Sequence, residues 1–206
     1  AKLFSEKFND AIESFNVVIK VKPELADPYF MRGIAKYNLV DYLGAEQDYN
    51  KAIEYKPNYT DAYRYRGYTR INLKKYYLAI NDFSAAIKLN AIEPDFYVAR
   101  GFCKIKVNQY KQAVNDFNKS LEITKKNKRA YFYRGLAKNF LEDTLGALSD
   151  YEIALKIDPE YLDVYMNKGI LYSEWNKYDK AISNFTKVIE LDPLSAGAYI
   201  NRSISK

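Results

Sequence analysis

The chain has 206 residues, 48% of them hydrophobic and 28% charged, which is enough apolar material for a sizeable core and too much for a disordered tail. Lys and Arg outnumber Asp and Glu by 32 to 26, and this surplus of +6 permits an acidic partner without demanding one. No run of eighteen apolar residues occurs, histidine is absent and cysteine occurs once, which excludes a membrane-spanning helix in this segment, a histidine base and a disulfide framework.

In chain order, residues 1–25 read as the second helix and closing turn of a repeat, with Ala11 and Phe15 on one face and Pro23 as the stop. Five full units follow, 26–59, 60–93, 94–127, 128–161 and 162–195, and 196–206 supplies most of the first helix of another. Each full unit carries two helices. In the second unit the apolar and aromatic positions keep a helical period over residues 61–74 and again over 76–88, with a short polar turn between. Pro57, Pro159 and Pro193 cannot continue the helix before them and close their units, whereas Ala91 and Lys125 occupy that slot elsewhere. The expected organisation is one array over 1–206. Because it starts and stops inside a repeat, it reads as a segment of a longer protein.

The units are defined by marks that recur every 34 residues. Glycines stand at Gly33, Gly67, Gly101, Gly135 and Gly169, with Ser203 in the sixth place. Four residues before them are Tyr29, Tyr63, Tyr97, Tyr131, Tyr165 and Tyr199. Twelve residues after each glycine comes alanine, from Ala45 to Ala181. Four further on is an aromatic: Tyr49, Phe83, Phe117, Tyr151 or Phe185. A glycine inside a helix costs about 1 kcal/mol against alanine, so its return in every unit predicts a place where two helix axes must close.

This pattern, aromatic-x-x-x-Gly, then Ala-x-x-x-aromatic, then a closing proline, resembles the tetratricopeptide repeat over the whole chain. The resemblance implies an all-α fold, a right-handed α-solenoid or superhelix of stacked antiparallel helix pairs, whose first helices line a concave surface that binds a protein or peptide. Tyrosine replaces the tryptophan usual in the family. The leucine expected before the glycine is Arg32, Arg66, Arg100, Arg134, Lys168 and Arg202, and three residues after it stand Lys36, Arg70, Lys104, Lys138 and Tyr172.

Asp48, Asp82, Asp116 and Asp150 recur just before the second-helix aromatic, and the fifth unit changes arginine and aspartate together, to Lys168 and Asn184. The joint change predicts that the two positions meet. Pairing within a unit and pairing with the next one, as Asp48 with Arg66, both fit the spacing. A ladder of ion pairs is the favoured reading over a phosphate-binding one.

Carried over from the family, the positions three before and one after each glycine face the groove: Phe30 and Ile34, Arg64 and Tyr68, Val98 and Phe102, Phe132 and Leu136, Met166 and Ile170. The row is apolar except for Arg64. It reads either as an open site for a partner segment or as extra core filled by neighbouring helices. The lysine and asparagine with which some family members clamp acidic chaperone tails have no match, so such tails are not expected ligands.

The run Lys125, Lys126, Lys128 and Arg129 has no second basic cluster in line with it, so nucleic acid is an unfavoured partner. The Asn-x-Ser/Thr matches at Asn58, Asn118, Asn184 and Asn201 are read as chance in an asparagine-rich chain. The lone Cys103 reads as a small buried residue and is compatible with a reducing compartment, which the sequence does not otherwise name. Without histidine or a glycine-rich phosphate loop, the expected function is a non-catalytic interaction scaffold with no cofactor and no metal site. The alternatives are an architectural array that self-associates end to end, and a basic module for an acidic polymer such as RNA.

Overall fold

The structure, a computed structural model, describes residues 2–206, with side-chain surroundings from residue 6 onward; Ala1, counted in the first expected segment, lies outside the described residues. Among the described residues there are twelve helices and no strand, an all-α helical-repeat fold. They are α1 (Lys2–Val21), α2 (Ala26–Asn38), α3 (Tyr42–Tyr55), α4 (Thr60–Asn72), α5 (Tyr76–Leu89), α6 (Pro94–Lys106), α7 (Tyr110–Ile123), α8 (Lys128–Phe140), α9 (Thr144–Ile157), α10 (Leu162–Glu174), α11 (Tyr178–Leu191) and α12 (Ala196–Ile204). They fall into two compact units, Ala1–Gln109 and Tyr110–Lys206.

In the first unit α2 packs on α3 and α4 on α5, and each hairpin also meets its neighbour through α1 against α2, α3 against α4 and α5 against α6. The second unit repeats the scheme with α7 against α8, α8 against α9, α9 against α10, α10 against α11 and α11 against α12. One helix pair cannot cover its own apolar faces, and stacking the next pair on it does.

The chain leaves α2, α4, α6, α8 and α10 through the same six-residue closure. The amide of Asp41 donates to the carbonyl of Lys36 at 2.9 Å, and Lys75 to Arg70, Gln109 to Lys104, Asp143 to Lys138 and Lys177 to Tyr172 follow suit. The residue before each donor has positive φ, Val40 at 65°, Lys74, Asn108, Glu142 and Asn176, so this helix ending is built without glycine. Asp41 and Asp143 then cap the following helix by accepting from the amides of Gly44 and Gly146 at 2.9 Å. Where the closing proline is missing, other caps start the next first helix: Glu93 followed by Pro94, and Asn127, which accepts from the Ala130 amide at 3.1 Å.

The core follows the periodic marks. Tyr49, Phe83, Phe117, Tyr151 and Phe185 are buried, as are Ala45, Ala79, Ala113, Ala147 and Ala181. A Cβ on Gly33 would lie 2.6 Å from the Tyr49 ring, and one on Gly135 would lie 2.7 Å from the Tyr151 ring and 3.1 Å from the Ala147 carbonyl. The second-helix aromatic thus packs directly on a bare stretch of first-helix backbone, the close approach for which glycine is required.

Candidate functional site

In the first unit α4 contacts both α2 and α6, so the first helices lie side by side and equivalent residues fall in step. Ile34, Tyr68 and Phe102, one residue after their glycines, are half-buried. The Tyr37 hydroxyl accepts from Asn72 Nδ2 at 3.0 Å, tying α2 to α4 along this side. Tyr68 stands edge-on to Phe83 with centroids 5.2 Å apart, and Lys106 Nζ lies 5.3 Å from the Phe102 ring centre.

The positions three before the glycine behave differently. Phe30 is buried among Tyr49, Tyr59 and Tyr65 with centroid separations of 5.9, 4.7 and 5.5 Å, and Val98 has no exposed surface. In the second unit Phe132 is likewise buried, between Tyr133, Tyr151 and Tyr161. These three are core, because the aromatic of the closing turn, Tyr59 or Tyr161, folds over the two phenylalanines.

The accessible part of the row is Ile34, Arg64, Tyr68 and Phe102 in one unit and Leu136, Met166 and Ile170 in the other. Ile170 is exposed and shares a small cleft of about 100 Å³ with Ser173, Glu174, Phe185, Asn201 and Ile204. Asn201 Nδ2 approaches Met166 Sδ at 3.7 Å on the same side.

The arginines before the glycines are structural. Arg32 donates through Nε to Asp48 at 2.9 Å, with a second bond from Nη2, and through Nη1 to Asn16 at 2.6 Å. Arg66 binds Asp82 and Asn50 in the same way, and Arg134 binds Asp150 and Asn118. Each guanidinium therefore clamps the second helix of its own hairpin and that of the hairpin before it. A basic residue three after the glycine reaches the same carboxylate: Lys36 to Asp48 at 2.8 Å, Arg70 to Asp82 at 2.7 Å and Lys138 to Asp150 at 2.8 Å. The sequence carries this signal, since the fifth repeat loses its aspartate to Asn184 and its third-position base to Tyr172 together. Arg70 also binds Glu46 at 2.8 Å, and Lys75 binds the other oxygen at 2.6 Å. Burial acts to raise the Glu46 carboxyl, but the hydrogen bonds from Lys75 and Arg70 outweigh it and hold the group below its ordinary range.

Burial, reinforced by the Asp82 carboxylate, pushes the Cys103 thiol up to about 12, which leaves it protonated and unreactive. In the basic run Lys128 is engaged by Asp158 at 2.6 Å, while Lys125, Lys126 and Arg129 are exposed. Among the described residues no group of His, Cys, Asp and Glu side chains is placed to hold a metal, and no helix is long and apolar enough to cross a membrane.

One tetratricopeptide repeat profile matches residues 162–193 and another matches 26–59 and 94–127. The chain is a tetratricopeptide-repeat protein. Its fold is similar to that of several solved structures, two of them described as tetratricopeptide-repeat proteins. One is YrrB, described as a protein with an unusual peptide-binding site, at 23% identity with a TM-score of 0.73 over 93% of this chain and 99% of that one. MamA 41-end from Desulfovibrio magneticus RS-1 matches at 22% identity and TM-score 0.75 over 83% of this chain and 97% of the other. A thermophilic tetratricopeptide-repeat protein of Thermus thermophilus, TTC0263, matches at 15% and 0.71 over 87% and 98%. No curated protein matches the sequence. As a tetratricopeptide-repeat array the chain is a protein–protein interaction scaffold, built from a repeat that is typically non-catalytic.

Proposed function

We propose that this tetratricopeptide-repeat array binds an extended or helical segment of a partner protein along the accessible part of its first-helix row. The observation that carries the reading is the alignment of Ile34, Tyr68 and Phe102 in the first unit. They are three apolar side chains at one-repeat intervals, half-buried and flanked by the polar Asn72 and Lys106. Leu136, Met166 and Ile170 offer a comparable apolar strip in the second unit. Phe30, Val98 and Phe132 support these strips from beneath and make no contact themselves. The peptide-binding site named for YrrB, a protein of the same fold, lends support. We read the array as five full repeats, 26–59 to 162–195, between two half repeats.

The test is selection from a random peptide library against the chain, followed by binding measurements with Ile34→Glu, Phe102→Glu and Ile170→Glu, and with Leu43→Glu on an exposed second-helix position as the control. A charge on the row should abolish binding while helicity stays at the wild-type level, and Leu43→Glu should bind normally. Peptides that bind all four variants equally would refute the row as the site.

A further inference from the structure

The helices α3, α5, α7 and α11 begin with a tyrosine, Tyr42, Tyr76, Tyr110 and Tyr178, whereas α9 begins with Thr144. Where it is present, this tyrosine fills space. Tyr42 stands edge-on to Tyr37 with ring centres 5.3 Å apart, and Tyr110 stacks on Phe140, the last residue of α8, at 4.7 Å. One repeat further on both members of that stack are gone, since Thr144 stands for Tyr110 and Glu174 for Phe140. A cleft of about 260 Å³ opens in their place, lined by Asn139, Glu142, Thr144, Leu171, Glu174 and Trp175. Its outer wall is a second departure from the pattern. The residue after α2, α4, α6 and α8 is Leu39, Leu73, Val107 or Leu141, and after α10 it is Trp175, the chain's only tryptophan and 42% exposed.

We propose that this cleft takes the arginine side chain of a partner protein, at a place separate from the first-helix row. Glu142 and Glu174 are both exposed, and neither meets a cation among the described residues. Lys138, close by in the chain, is held by Asp150. The helices α8 and α10 both end at the cleft, where the negative ends of their dipoles favour a positive charge. Lys177, which does not line the cleft, already sets its ammonium 3.7 Å from the centre of the Trp175 ring, so this indole is placed to accept a cation. A guanidinium is a planar fork of donors, which lies against an indole while its edges donate to carboxylates. An ammonium has no plane to stack. The apolar wall of Leu171 and Trp175 keeps water from one side of the pair and strengthens it. Glu174 also borders the small cleft beside Ile170, but Glu142, Thr144 and Trp175 lie outside the row.

The test uses the Trp175 indole of the whole chain as the reporter. Acetyl-Gly-Arg-Gly-amide and its citrulline counterpart, neutral and nearly the same shape, are titrated at fixed ionic strength while the indole N–H signal is followed by NMR. The arginine peptide should bind about tenfold more tightly than the citrulline one, the worth of a charge-assisted hydrogen bond. A variant carrying Glu142→Gln and Glu174→Gln should bind the two alike. Thr144→Tyr, which restores the residue found at Tyr110, should keep the helicity of wild type and lose both peptides. An indole signal that ignores the arginine peptide overturns the proposal, as does an arginine preference that survives in either variant. Spermidine moving the signal as strongly as the arginine peptide, at equal charge, overturns it too. Each of these outcomes leaves the first-helix row untouched as a site.

Discussion

Arg134 and Asp150 meet across one hairpin through two parallel hydrogen bonds, Nε to Oδ2 at 2.9 Å and Nη2 to Oδ1 at 2.6 Å, while Nη1 of the same guanidinium donates to Asn118 at 2.7 Å on the preceding helix. Three helices, α7, α8 and α9, are pinned by one side chain. Asp150 is almost fully buried, so Arg134→Ala leaves it with Lys138 alone and should cost about 3 kcal/mol. Replacing both partners, Arg134→Met with Asp150→Leu, should cost less, because the charge then left without its partner, on Lys138, is partly exposed and not buried. Urea unfolding of the two variants checks the order. A larger loss in the double variant would show that the clamp stabilises as a pair.

The Glu46 site gives a pH dependence with a defined sign. Its carboxyl is held below the ordinary value of 4.5, so its contribution to stability is full above that value and is lost as pH falls through the lower, folded one. Glu46→Gln should therefore unfold more easily than wild type at neutral pH, and the gap should close under acid. Asp82 works in the opposite sense, since burial outweighs Arg66 and Arg70 and raises its carboxyl. For that reason the comparison is the wild-type minus variant difference at each pH, followed by thermal denaturation. A gap that stays constant down to about pH 3 would count against the Lys75 and Arg70 bonds as its source.

Tyr49 has a fully buried ring whose hydroxyl has no partner among the described residues. The ring is needed, since it lies against Gly33, but the hydroxyl is a desolvated group with nothing in return. Tyr49→Phe should therefore raise stability by about 1 kcal/mol, whereas Gly33→Val should unfold the first hairpin. Hydrogen exchange over α2 and α3 reports both changes. A Tyr49→Phe chain less stable than wild type would mean that the hydroxyl is bonded, through a buried water.

Lys168 replaces the clamp arginine in the fifth repeat and has only Glu152, 3.9 Å away and exposed, as a carboxylate. Burial holds its ammonium below the ordinary lysine value, with Glu152 opposing the shift and Lys180 adding to it. A lysine lowered in this way makes the fold more stable as pH climbs from the folded toward the unfolded value. Asn184→Asp restores the carboxylate that Asp48, Asp82 and Asp150 supply elsewhere. It should raise the Lys168 titration and remove that alkaline gain, as followed by NMR of the labelled lysine side chain. A titration unmoved by the substitution would separate the two positions.

How much of this is legible in the sequence depends on how local each feature is. The helix pairs and the glycine-to-aromatic contact follow from marks that recur at a fixed interval, because each hairpin solves the same packing problem. The arginine ladder is half legible. Its two registers have nearly equal spacing, and only the geometry selects Arg32 with Asp48 over Asp48 with Arg66. The exposure of the row is not legible, for Phe30 and Ile34 are one turn apart on one helix, and what buries the first and spares the second is Tyr59, from the turn that follows. Arg70 stands out in the sequence only as a departure from the family pattern, although it links Glu46 to Asp82.

The claim on which the functional account depends is that a bound segment lies along the first helices. Isoleucine methyl NMR of the chain with a library-selected peptide addresses it directly, since Ile34 and Ile170 belong to the row while Ile92 and Ile123 are exposed outside it. The account predicts that the methyl signal of Ile34, of Ile170, or of both shifts on binding and that those of Ile92 and Ile123 do not. Shifts confined to Ile92 or Ile123, with Ile34 and Ile170 unmoved, would contradict it.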